Sequence, residues 1–142
     1  MTREEQNKAI MASIYDAYDG KDESIEGNYA ATPDTLLMYE YASKTLPVGG
    51  LCEGGDAMLQ LGAAVTQHLD YQEFVCEGMV AEGDMVASWG RCTTINRQNG
   101  KQTSFTLMHR VVIRDGKLVE GHEFYDSLGL AEDLGLLEET AR

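Results

Sequence analysis

Basic residues are scarce in this chain. Its 11 lysines and arginines stand against 24 aspartates and glutamates, a formal net charge of -13, and such a surface repels phosphate backbones and anionic membranes instead of gathering them. Neither nucleic acid nor a membrane is an expected partner. Cysteine is sparse as well. Cys52, Cys76 and Cys92 are odd in number and widely spaced, which excludes a paired disulfide framework and any C-x-x-C metal or redox motif. Reduced, mostly buried thiols are the expectation. Long apolar runs are missing, so no stretch approaches the roughly 18 residues of a membrane-spanning helix. The N-terminal MTREEQNKAI lacks the basic start and apolar run of a secretory leader, and a cytoplasmic protein is expected. His68, His109 and His122 show no i, i+4 pair and no metal-ligand spacing, so a metal is not expected.

What is present suits a single domain over residues 1–142. A chain of this length removes roughly 68 to 70% of its unfolded surface from water and needs no staples. Thr2 with Glu5 forms a capping box, and Ile10, Met11, Ile14 and Tyr18 then recur at helical spacing up to Gly20, predicting an amphipathic first helix. DESIEGNYA reads as a second, shorter helix closed by Pro33, and TLLMYEYA over 35–42 as a strand. SKTLPVGGLCEGG reads as a loop, after which Asp56 caps a helix carrying Met58, Leu61, Val65 and Leu69 on one face.

From Tyr71 onward the pattern changes. YQEFVCEGMVA, MVASWGRCTTI, KQTSFTLMHRVVI and KLVEGHEFY are strand-like runs separated by EGD, NRQNG and RDG, an antiparallel meander. Helices gathered ahead of such a sheet must cover one of its faces, which makes the class α+β.

The last run ends in HEFYD, placing His122, Glu123 and Asp126 among aromatics. Beyond it stands a D-x-L-G-L segment, so the C-terminal stretch RDGKLVEGHEFYDSLGLAEDLG combines Asp115-Gly116, Leu118, Val119, Glu123, Asp126, Leu128, Gly129, Leu130, Leu134 and Gly135. This stretch resembles the ending of the SnoaL-like polyketide cyclase family. The element order, over about residues 7–135, resembles the wider nuclear transport factor two-like superfamily, a cone of helices wrapped by a curved, mainly antiparallel sheet.

The resemblance implies an acid/base pair in the cone's pocket: an acid on the last strand, here Glu123, and a histidine fourteen positions earlier, here His109. The family's His-Trp before an Asp is replaced by Gly121 and His122 before a Glu, which moves the carboxylate outward by roughly 1.5 Å. Whether the two side chains meet depends on the RDG turn. A two-residue Asp115-Gly116 loop puts His109 on a face with Glu120, His122 and Phe124; a type I turn with Gly116 in a bulge puts it with Gly121, Glu123 and Tyr125. The resemblance favours the Gly116 bulge.

On that register Phe105, Leu107, His109, Val111 and Ile113 share a face, and a polar ring in an apolar row needs a partner. Tyr39, Tyr41, Trp89, Arg91, Thr94 and Tyr125 are further groups that could reach the pocket, each with core packing as its plain alternative. His122 is expected on the opposite face, His68 at a helix end where a cation suits the dipole, and Asp126 as a cap or turn former. Implied by the family is a cofactor-independent cyclase, isomerase or hydrolase acting on a small apolar or carbonyl-containing molecule. The rival is a non-catalytic binding or dimerisation module of the same fold. Either way the uncovered sheet face is expected to meet a second copy in a homodimer.

Overall fold

The N-terminal capping box forms as its spacing requires: Glu5 N donates to Thr2 Oγ1 at 3.1 Å, and Thr2 N donates to Glu5 Oε2 at 2.8 Å. It opens helix α1 (Arg3–Asp19), whose buried residues Asn7, Met11, Ile14 and Tyr15 make one stripe at i, i+4, i+7 and i+8. The computed structural model describes residues 1–19, 33–39 and 50–137, with backbone alone at 38, 39, 58 and 59. The expected helix over DESIEGNYA lies outside the described residues.

Among the described residues six strands form one curved, open sheet: β1 (Leu36–Tyr39), β2 (Gly50–Glu53), β3 (Leu69–Glu82), β4 (Met85–Asn96), β5 (Gln102–Arg114) and β6 (Lys117–Tyr125), in the order β2-β1-β6-β5-β4-β3. Every described neighbour pair is antiparallel except β1 with β6. Helix α2 (Ala57–Thr66) follows β2, and α3 (Ser127–Asp133) closes the described chain. The class is α+β, as the meander and its preceding helix imply, and all four meander strands fall where their runs and turn signals put them.

Alternation along the strands decides which side chains meet α1. On β4 Val86, Ser88, Gly90, Cys92 and Thr94 are buried, while on β5 Leu107, Val111 and Ile113 are buried and Met108 and Arg110 exposed. The inner face receives Tyr15, whose ring lies 5.1 Å from that of Phe74, inside the main core with Met11, Ile14 and Leu37. Two register shifts in β3, at Tyr71/Glu73 and Cys76/Gly78, add the local twist that bends the sheet round the helix. α1 also ties itself to this edge strand. Phe74 N donates to Asp19 Oδ1 at 2.9 Å, and Gly83 N donates to Glu4 Oε1 at 3.2 Å.

Three local expectations need correction. Gly50–Glu53, inside the segment read as a loop, is strand β2 and pairs with β1; four residues with a glycine carry too little pattern to stand out. α2 stops at Thr66, so Leu69 is not on its apolar face but opens β3, where it is buried. Asp56 precedes α2 without a side-chain cap and accepts instead from Gln60 Nε2 at 2.6 Å.

A fourth correction concerns the RDG turn. Asp115 and Gly116 both have positive φ, 50° and 74°, the type I′ conformation of a two-residue hairpin loop, with Arg114 paired to Lys117. Gly116 is therefore not in a bulge. The slip comes further on: Ile113 pairs with Leu118 but Val112 with Glu120, leaving Val119 as the extra residue. The two-residue loop alone would have set His109 against His122. The bulge at Val119 sets it against Glu123.

Candidate functional site

An imidazole in the apolar row of β5 is buried among hydrocarbon and must find polar partners on neighbouring elements. His109 finds two. Its Nδ1 lies 2.9 Å from the Tyr15 hydroxyl on α1, and its Nε2 stands 3.2 Å from Glu123 Oε2 on β6. The Tyr15 hydroxyl also meets Ser88 Oγ on β4 at 3.1 Å. A chain of polar groups therefore crosses the inner face: Ser88, Tyr15, His109, Glu123. The two ionisable ends of the histidine contact are 12% and 17% exposed, shielded enough for a charge to act at low dielectric.

His109 and Glu123 border a cavity of about 60 Å³, room for several waters or a small part of a ligand. Its walls are apolar and aromatic, with Ile14 and Tyr18 from α1, Leu61 from α2, Phe74 from β3 and Val111 from β5, and His109 and Glu123 supply polar atoms. A second cavity of about 20 Å³ lies beyond Glu123, sharing it, Tyr71 and Phe74 with the first. Gly121 packs under the Leu37 side chain: a Cβ there would come 2.9 Å from Leu37 Cδ2.

The environment acts on the neighbouring acids in one direction. Burial raises the Tyr15 phenol well above its ordinary value, with Glu123 adding a smaller push. Burial, then the charge of Glu123, pushes Tyr125 up to about 12, and the Cys92 thiol is raised for the same two reasons. All three stay protonated at neutral pH.

Placement of the remaining candidates divides by strand face. Val111 lines the larger cavity, and Phe105, Leu107 and Tyr125 line the smaller one, with the Phe105 and Tyr125 rings 5.7 Å apart. Trp89 and Arg91 do not belong to the site. Both stand at odd positions of β4, on the outer face, where Trp89 covers Gly78 and Arg91 pairs with Glu73 at 2.6 Å and Glu77 at 3.6 Å. The NRQNG loop sets the even positions of β4 inward through the pairs Ser88 with His109 and Cys92 with Phe105. Thr94 is inside, and its buried hydroxyl has no hydrogen-bond partner among the described residues. The Tyr39 side chain and all of Tyr41 lie outside the described residues.

His122 borders the cavity, yet its Nε2 bonds Glu120 Oε1 at 2.7 Å, on the face opposite His109. Asp126 caps α3, accepting from Gly129 N at 2.9 Å. Sequence reasoning missed Tyr15 and Ser88. Tyr15 falls four residues after Met11 on the buried stripe of α1, a signal for burial that says nothing of the hydroxyl. Among the described residues no three His, Cys, Asp or Glu side chains gather as a metal site, and no helix is long and apolar enough to cross a membrane.

The profile of the SnoaL-like domain matches residues 15–121. The chain belongs to the SnoaL-like domain family. The match takes in Tyr15, Ser88 and His109 and ends two residues before Glu123, so the D-x-L-G-L run lies beyond it. No curated protein matches the chain. Solved structures share this SnoaL-like fold at low identity. A protein from Jannaschia sp. CCS1, provisionally named a SnoaL-like polyketide cyclase, is 17% identical with a TM-score of 0.78, covering 97% of each chain. One from Bacillus subtilis, provisionally named an isomerase, is 16% identical with a TM-score of 0.79, covering 94% of this chain and 95% of its own. TerC, crystallised with polyporic acid, is 18% identical with a TM-score of 0.75, covering 92% of this chain and 98% of its own.

Proposed function

We propose that this SnoaL-like protein binds a small, uncharged, apolar or carbonyl-containing molecule in the cavity and acts on it by acid/base chemistry without a cofactor. The observation that carries the reading is the 3.2 Å contact between His109 and Glu123 in a mainly apolar cavity. Glu123 takes a proton from a carbon beside a carbonyl, or from a water that attacks; His109 orients the carboxylate or returns the proton. Isomerisation, aldol cyclisation and opening of an epoxide all fit this division of labour. Contacts of this kind tighten when substrate binds, so 3.2 Å is a working distance. The names of the solved neighbours, cyclase and isomerase among them, agree with this range, and a neighbour crystallised with a small molecule agrees with a ligand pocket.

The modest cavity volume favours a second reading, a receptor or dimerisation module. One experiment decides between them: native mass spectrometry for a co-purified ligand, followed by incubation of that ligand with wild type and Glu123→Gln. Conversion by wild type and none by the variant, with equal binding, supports the enzyme. Recovery of unchanged ligand from both sinks it.

The proposal extends to a homodimer through the outer sheet face. Trp89 and Met108 pair across β4 and β5 there and are 37% and 49% exposed, an apolar patch that a second copy would cover.

A further inference from the structure

We propose that Tyr15 and Ser88 are positioning residues that hold His109 as the neutral tautomer with its hydrogen on Nε2, so that the site meets its ligand with a carboxylate acceptor and not an imidazole. This rests on the acid/base reading above and assigns to Glu123 alone the role of proton acceptor.

The argument follows the hydrogens along the chain. An ionised Glu123 offers only lone pairs, so the ring nitrogen facing it, Nε2, must carry the hydrogen. In a neutral imidazole Nδ1 is then an acceptor, and the group facing it at 2.9 Å is the Tyr15 hydroxyl. Tyr15 has one hydrogen, which it gives to Nδ1. Its oxygen then accepts from Ser88 Oγ at 3.1 Å. Every hydroxyl hydrogen in the series points the same way, from β4 through α1 to β5. Ser88 is fully buried and Tyr15 1% exposed, so water does not compete for these bonds. Burial also keeps the Tyr15 phenol neutral.

With Glu123 ionised, the alternative direction requires a doubly protonated ring, with Nδ1–H donating to Tyr15 and Tyr15 donating to Ser88. That state places a cation against the edge of the Tyr15 ring, in T-shaped contact at 5.5 Å between centroids, and beside Phe74 at 6.2 Å. It leaves the imidazole as an acid and Glu123 as its counter-ion. The two directions predict opposite chemistry for the ligand. In the first the ligand must bring the hydrogen, as a hydroxyl, a bound water or an activated C–H; in the second it must bring an acceptor. The apolar walls, which penalise a charge on the ring, favour the first.

Long-range ¹H–¹⁵N correlation spectra of the ligand-free protein at neutral pH test this without any assay of turnover. His109 is assigned by its loss in His109→Gln, with His68 and His122 as internal references. Wild type is expected to show a bare Nδ1 and a protonated Nε2. Tyr15→Phe is expected to move the tautomer ratio toward Nδ1–H by about fivefold, the worth of one buried hydrogen bond, and Ser88→Ala to move it less in the same sense. A doubly protonated or Nδ1–H ring in wild type overturns the proposal, as does an unmoved ratio in a folded Tyr15→Phe. Should Tyr15→Phe not fold, the wild-type spectrum and Ser88→Ala decide. If instead the tautomer is as proposed but no ligand is converted, the functional reading alone falls. Where turnover is found, Tyr15→Phe should lower kcat about tenfold with little change in KM, because it touches the base through His109 and not the ligand.

Discussion

Gly90 lies directly beneath the ring of Tyr15. A Cβ built on it would come 3.0 Å from Tyr15 Cε1 and closer still to the backbone carbonyl oxygen of Val75, so the absence of a side chain on β4 is what lets the phenol reach Ser88 and His109. Gly90→Ala should cost about 3 kcal/mol of unfolding free energy, at the upper end for overpacking because one of the atoms met is backbone. Gly62, inside α2 with nothing within 4 Å of its would-be Cβ, is the counter-case: Gly62→Ala should add about 0.5 to 1 kcal/mol through helix propensity. Urea denaturation of the two variants should bracket wild type, and a Gly90→Ala variant as stable as wild type would show that α1 does not need this close approach.

Stability should fall on the alkaline side. Tyr15, Tyr125 and Cys92 are all raised in the folded state, chiefly by burial, from ordinary values of 10.0, 10.0 and 9.0. Above those values the unfolded chain releases protons that the folded chain retains, so unfolding gains. The contribution is whole below about pH 9 and is lost as pH rises, each group costing about 1.4 kcal/mol per pH unit until its folded value is passed. Denaturation midpoints at pH 8 and pH 10.5 check the fall, and Tyr125→Phe should make it shallower.

Asp126→Ala removes the side-chain acceptor for Gly129 N at 2.9 Å and should cost about 1 kcal/mol. The loss should loosen α3, whose Leu130 and Ala131 are 2% and 5% exposed against Val65 and Leu69. Gly129→Ala should cost no more than this, because a Cβ there pushes the Asp126 carboxyl group off the cap while alanine adds helix propensity. Amide exchange across 127–134 reports both effects, and protection equal to wild type in Asp126→Ala would remove the cap from the account.

The proposed homodimer predicts a sedimenting species at twice the chain mass of 15.6 kDa at micromolar concentration. Met108→Glu, on the outer face of β5, should dissociate it while leaving the cavity side of the same strand unchanged. A wild-type monomer at that concentration would end the idea.

Much of this architecture was legible because four runs of β-branched and aromatic residues are punctuated by EGD, NRQNG and RDG, and turn chemistry at such spacing leaves few other folds. The capping box at Thr2 and Glu5 and the cap at Asp126 were legible for the same reason, being local. The meeting of His109 with Glu123 was reached through a bulge assigned to Gly116, whereas Asp115 and Gly116 form a plain two-residue turn and the slip sits at Val119. A bulge at a valine leaves no mark in sequence, since nothing about the residue demands an unusual conformation. Trp89 and Arg91 were candidates for the pocket by residue type, with their face left open, and only the register across β4 and β5 places them outside. Tyr15 shows the reverse limit. Helical spacing foretells that it is buried, but a partner ninety-four residues away follows from tertiary packing.

The bonds from Asp19 and Glu4 to the amides of Phe74 and Gly83 bear on what happens beyond the single molecule. β3 is the sheet's outermost strand and 14 residues long, and an edge of that length with free donors is a template on which a foreign strand can grow. Here two acidic side chains from one helix take up donors, one near the middle of β3 and one in the turn that follows it, and they place negative charge where an incoming chain of the same composition would have to approach. The first helix thus guards against aggregation as well as building the core. Asp19→Ala and Glu4→Ala together should leave the thermal midpoint within a degree or two while raising turbidity and thioflavin binding on prolonged incubation; clear solutions that match wild type would mean the two bulges in β3 suffice without the helix.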